Sequence, residues 1–121
     1  MSKPLLQLTL NEDEARLVSM ALQFYARVRM GQFGEIVWHC AMNHCPEDPN
    51  AAEKAWLELR KQCYPDLLVH PGHTYGYGVF DDADKAYDIH QALCCALGTE
   101  KRPFTIHHKR PKCERITSEE N

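Results

Sequence analysis

A chain of 121 residues with 44% hydrophobic residues has the length of one domain and enough apolar content for a core, which excludes a globally disordered protein. The formal charge of −3 gives no general attraction to nucleic acid or to an acidic membrane, although it is uneven: residues 1–98 hold 8 Lys/Arg against 13 Asp/Glu, and residues 99–121 hold 6 against 4. No run approaches the ~18–20 apolar residues of a membrane span. Residues 1–10 alternate Leu with polar residues instead of forming an apolar export region, so a cytoplasmic protein whose six cysteines are reduced is expected.

In chain order, Leu5 to Leu10 reads as a short strand, with Leu6, Leu8 and Leu10 alternating against Gln7 and Thr9. Asn11 with Glu14 three residues later forms a capping-box pair and opens a helix to about Met30. Its apolar stripe is expected along Leu17, Ala21, Phe24 and Val28, with Val18, Leu22 and Tyr25 beside them. Gly31 fits the position just past that helix, where a positive φ costs glycine little. A second helix is expected over 32–43, with Phe33, Ile36, Val37, Cys40 and Ala41 inward. A third is expected over 50–63, capped by Asn50 and burying Ala52, Trp56, Leu59 and Cys63. Tyr64-Pro65 ends it, and an irregular segment rich in Gly, His and Tyr runs to about Asp81; a loop of that length inside a compact domain usually carries function.

Asp81 or Asp82 is expected to cap the last helix, over 82–97, with Ala86, Ile89, Leu93 and Leu97 inward and Gly98 as its stop. Phe104 to His108 is a candidate second strand, pairing with Leu5–Leu10. The expected fold is therefore mainly α, a compact four-helix domain with at most a minor two-stranded β element. It spans residues 1–110 as a single helical domain and leaves 111–121 as a loose C-terminal tail.

Three chemistries compete. His39, Cys40, His44, Cys45, His70 and His73 offer zinc-type donors, with Cys40 and His44 one helical turn apart, but no Cys-x-x-Cys pair accompanies them; core cysteines and polar loop histidines are the plainer account, and no metal or cofactor is assigned. Cys and His together suggest a thiol nucleophile, yet no phosphate loop, dinucleotide fingerprint or nucleophile motif surrounds any of them, so no catalytic residue is assigned and binding is expected rather than turnover. The third is an anionic ligand. Arg27 and Arg29 close the first helix and Gln32 opens the next, placing guanidinium groups near backbone N–H donors. His73, Tyr75 and Tyr77 supply rings for stacking on a base, and Asp88 and Gln91 offer polar groups to read its edge. The plainer alternative pairs Arg27 with Glu35 and leaves Asp88 and Gln91 solvated on their helix.

Two blocks carry a resemblance. Ala21-Leu22-Gln23-Phe24-Tyr25-Ala26-Arg27, running into Gly31-Gln32-Phe33, resembles an Ala-Leu-x-x-Tyr-x-Arg…Gly-Gln-Phe segment of small helical proteins encoded by bacteriophages. Ala86-Tyr87-Asp88-Ile89-His90-Gln91 is similar to an Ala-Tyr-Asp-Ile-x-Gln block of the same proteins, and the likeness runs over roughly residues 5–98. The resemblance implies a counter-immunity protein in the cytoplasm of an infected bacterial host. Its expected partner is a small nucleotide-derived immune signal held as by a sponge, with no membrane and no specific nucleic acid. The alternatives are an inhibitor that binds a host protein directly and a small enzyme that degrades a nucleotide signal. A broad apolar helix face also suggests a homo-oligomer.

Overall fold

The computed structural model describes residues 4–41, 45–67, 72–98 and 111–116. Four helices follow one another: α1 (Glu12–Arg29), α2 (Gly34–Cys40), α3 (Pro49–Cys63) and α4 (Asp81–Leu97). The mainly helical expectation holds. Among the described residues there is no strand: residues 4–11 are irregular, with the Leu5, Leu6 and Leu8 side chains exposed, and the candidate partner at 104–108 lies outside the described residues. No helix among the described residues is long and apolar enough to cross a membrane.

Local chemistry sets most boundaries. The Asn11 side chain accepts from the Glu14 N–H at 2.8 Å while the Glu14 carboxylate accepts from the Asn11 N–H at 2.9 Å, closing the capping box at the start of α1. Gly31 (φ 98°) and Gly98 (φ 80°) adopt the left-handed backbone that ends α1 and α4. α3 begins earlier than expected. Asp48, not Asn50, caps it by accepting from the Ala51 N–H at 3.1 Å, because Pro49 fits the first helical position and needs no N–H partner there. α4 is capped by neither Asp81 nor Asp82. Phe80 occupies that position, and Asp81, Asp82 and Asp84 instead place negative charge in the first turn. α2 is only seven residues long, shorter than the expected 32–43.

α1 and α4 form the main packing unit, and α2 touches α1 and α3. Contacts between Arg29 and Asp82 at one end and Ser19 and His90 further along show that α1 and α4 run antiparallel. Their seam is made mainly of alanines: Ala26, Ala83 and Ala86 are buried together with Met30, and Leu22, Tyr75, Phe80 and Tyr87 pack against them. The expected α1 stripe is shifted by this choice. Leu17 and Tyr25 stay exposed, whereas Ser19 and Ala26 are buried. On α3, Leu59 and Cys63 are exposed and Arg60 is the buried residue, at 2% exposure. The segment 111–116 is irregular, and Arg115 meets the helix pair at the end where α1 begins and α4 finishes, at Glu12 and at the Leu97 carbonyl. All six cysteines lie among the described residues and none is in a disulfide.

Candidate functional site

Arg60 organises the irregular segment that precedes α4. Its guanidinium donates to the His73 carbonyl at 2.8 Å and to the Gly31 carbonyl at 3.3 Å, and it lies 5.4 Å from the Trp56 ring centroid. The Tyr75 N–H donates to the Met30 carbonyl at 2.8 Å, so residues 73–75 are fastened to the turn between α1 and α2. Between that turn, α3 and this segment lies a cavity of about 410 Å³, lined by Gln32, Gly34, Glu35, Trp56, Gly72 and Thr74. Its wall combines a flat indole, an amide, a carboxylate and a hydroxyl. A volume near 400 Å³ lies within the ~300–1,000 Å³ typical of small-molecule sites.

The eight residues expected to surround one ligand are spread over several places in the fold. Gln32 lines the cavity, and Arg27 reaches its edge through a 2.8 Å ion pair with Glu35. Arg27, Tyr77 and Gln91 act together on Tyr87, with Arg27 close enough for its charge to be felt. Burial pushes the Tyr87 hydroxyl above its usual range and Tyr77 adds to the shift, while Arg27 and the Gln91 amide oppose it. The Tyr77 and Tyr87 rings lie 5.5 Å apart, and Tyr77 is half exposed.

Arg29, His73 and Tyr75 are engaged in the scaffold. The Arg29 Nε donates to Asp82 at 3.1 Å and its Nη1 to the Tyr64 hydroxyl at 3.0 Å, with the guanidinium 3.9 Å above the Phe80 ring. The Tyr64 and Asp82 bonds hold the Arg29 guanidinium above its ordinary range, and the Tyr25 hydroxyl together with Arg29 holds the Asp82 carboxyl below its own. The Tyr75 ring packs against Tyr64 at 5.3 Å and Phe80 at 5.2 Å. Asp88 and Gln91 are not solvated helix residues; both are buried.

The N-terminus of α2 exerts little pull on an anion. Glu35 stands there with a negative charge already paired to Arg27, and seven residues give a short dipole. Among the described residues no group of three or more His, Cys, Asp or Glu side chains is arranged to hold a metal; of the zinc-type donors, His44 and His70 lie outside the described residues.

A second cluster was not legible in the sequence. Between α1 and α4 an apolar cavity of about 210 Å³ is lined by Arg16, Ser19, Met20, Gln23, His90, Cys94 and Leu97. Here the His90 Nδ1 stands 2.9 Å from the Ser19 carbonyl oxygen and 2.8 Å from the Ser19 Oγ, and the Cys94 Sγ lies 3.3 Å from that Oγ. Burial pushes the His90 imidazole below its ordinary range and the charge of Arg27 adds to this, against the Ser19 carbonyl, which favours the protonated ring. The one sequence signal was the i, i+4 spacing of His90 and Cys94. Ser19 is 71 residues from His90 and carries no pattern that announces the contact.

Compared with protein-family models, curated proteins and solved structures, the chain shows no match.

Proposed function

We propose that this chain is a binding protein that holds a small base-containing, phosphorylated ligand in the cavity beside α2. In the phage setting that its resemblance implies, it acts in the host cytoplasm as a sponge for a nucleotide-derived immune signal. The observation that carries the reading is the convergence of Gln32, Glu35, Trp56 and Thr74 on one open cavity of about 410 Å³ from three separate stretches of chain. A base lies against the Trp56 indole, Gln32 and Glu35 read its polar edge, and Arg27 exchanges its 2.8 Å bond to Glu35 for the phosphate.

The experiment is calorimetry of the full chain with a panel of cyclic and linear nucleotides, repeated on Trp56→Phe and Gln32→Ala, with the bound ligand recovered and its mass measured. Loss of one polar contact costs about 1–3 kcal/mol, so Gln32→Ala weakens binding roughly five- to a hundredfold. Intact recovered ligand supports sequestration, cleaved ligand makes the chain an enzyme, and binding of no nucleotide by the wild type rejects the reading. A second reading, direct docking on a host protein or on further copies of this chain, draws on the N-terminal segment, where Leu5 and Leu6 are 94% and 98% exposed.

A further inference from the structure

The wall of the cavity beside α2 discriminates among bases. Among the described residues that line it, the charged side chain is Glu35, and an ionised carboxylate accepts hydrogen bonds but donates none. The Glu35 side chain is 21% exposed, and its Oε1 accepts from the Arg27 Nη1 at 2.8 Å, so the carboxylate already faces a planar fork of N–H donors. The Trp56 indole lies against the neighbouring residue of α2: a Cβ on Gly34 would stand 3.5 Å from its Cζ2 and 3.8 Å from its Nε1, ordinary contact distances. A ring surface and a carboxylate therefore border the same opening.

The bases differ in the edge they offer such a pair. Guanine presents N1–H and the N2 amine side by side on a planar N–C–N unit, the donor pattern of a guanidinium fork. Adenine and cytosine set their amine beside a ring nitrogen lone pair, and uracil flanks its one N–H with carbonyl oxygens. A carboxylate that reaches a donor on any of these three meets an adjacent acceptor and is repelled by it. Gln32 is the competing reader, because a carboxamide pairs bidentately with adenine. Hydrogen bonds to an ionised acceptor are roughly twice as strong as those between neutral groups, which decides for Glu35.

We infer, resting on the reading of this cavity as a nucleotide site, that Glu35 makes it specific for guanine. The guanine N1–H and N2 amine replace the Arg27 fork on the Glu35 carboxylate while the ring stacks on Trp56. Arg27, released from Glu35, turns to the phosphate, so recognition of base and of phosphate is coupled through one ion pair.

Calorimetry of the full-length chain with the monophosphates of guanosine, inosine and adenosine (GMP, IMP and AMP) keeps the phosphate constant and varies the base edge. GMP is expected to bind roughly ten- to a hundredfold more tightly than AMP, the discrimination that one bidentate pair supplies. IMP falls between them, because it keeps N1–H and lacks the N2 amine. Glu35→Gln, equal in size, sets an amide N–H2 against the guanine donors and abolishes or reverses the preference. A variant that merely loosened the cavity would weaken all three ligands and leave their ratios unchanged. Arg27→Met tests the coupling: guanosine, which has no phosphate, binds more tightly than to the wild type because no fork has to be displaced, whereas GMP binds more weakly. A chain that binds none of these ligands, nor the cyclic dinucleotides of guanosine and adenosine, rejects the nucleotide reading and this inference with it. A chain that binds AMP as tightly as GMP, or whose GMP preference survives Glu35→Gln, overturns the guanine assignment and leaves the nucleotide reading standing.

Discussion

Replacing Arg60 by methionine tests the idea that one buried guanidinium fastens the segment before α4 to the rest of the fold. The side chain is 2% exposed and donates to two backbone carbonyls, those of His73 at 2.8 Å and Gly31 at 3.3 Å. A hydrogen bond from a charged donor is worth about 1.5–3 kcal/mol, and removing it leaves a buried carbonyl short of a partner. Methionine keeps much of the apolar stem, so the packing loss is small and the two bonds dominate, for a total of about 3–5 kcal/mol. At about 4 °C per kcal/mol for a domain of this length, thermal unfolding should shift down by roughly 12–20 °C. Hydrogen exchange gives a second, local readout. The Tyr75 amide, bonded to the Met30 carbonyl at 2.8 Å, should lose protection ahead of the α1–α4 amides because Arg60 anchors its neighbour His73. Arg60→Lys, which offers a point charge in place of a planar fork, should recover less than half of the loss. A shift below about 4 °C with an unchanged Tyr75 exchange rate would refute the anchoring role.

Two further outcomes follow from the same geometry. Gly31→Ala puts a side chain at φ 98°, with its Cβ 2.9 Å from the Leu67 Cδ2 and flexible side-chain atoms as the obstacle; it should cost about 1–2 kcal/mol, read as a lower denaturant midpoint with an unchanged slope. The depressed His90 imidazole makes stability depend on pH: the unfolded chain, with a histidine near its ordinary value of about 6.5, takes up the proton first. The contribution is therefore complete above about pH 7 and is lost as the pH falls through 6.5 toward the lower folded value. Denaturation midpoints between pH 7.5 and 5 should fall more steeply for the wild type than for His90→Gln, and equal slopes would show that His90 is not the group responsible.

What the sequence disclosed was what is local. The Asn11–Glu14 capping box and the glycine stops at 31 and 98 each lie within a few residues of the helix end they define, so spacing alone reveals them. The α3 start was also local, and Asp48 before Pro49 is a stronger signal than Asn50 once the missing proline N–H is weighed. Burial was harder to read. Leu17 and Leu59 outrank Ser19 and Arg60 on any hydrophobicity scale, yet the structure exposes the leucines and buries the polar pair. Arg60 is satisfied by carbonyls 13 and 29 residues away, and Ser19 by a histidine 71 residues away, separations at which no periodic pattern survives.

The alanine seam accounts for the polar interior. Ala26, Ala83 and Ala86 have no side chain beyond Cβ, so α1 and α4 can approach closely along their shared line. Close approach leaves little volume at the centre, and the side chains flanking the seam are carried inward whatever their polarity. Ser19 and His90 on one flank are buried as a result, and on α4 so are Asp88 and Gln91. Because a buried polar group is costly unless bonded, each inward position selects a partner: the Ser19 carbonyl for His90, and the Tyr87 hydroxyl for the Gln91 amide. The imidazole is thus oriented and kept neutral by the packing that holds the two longest helices together. A bulky residue in place of Ala26 or Ala83 would separate the helices, admit water to His90 and return its titration toward that of an exposed histidine.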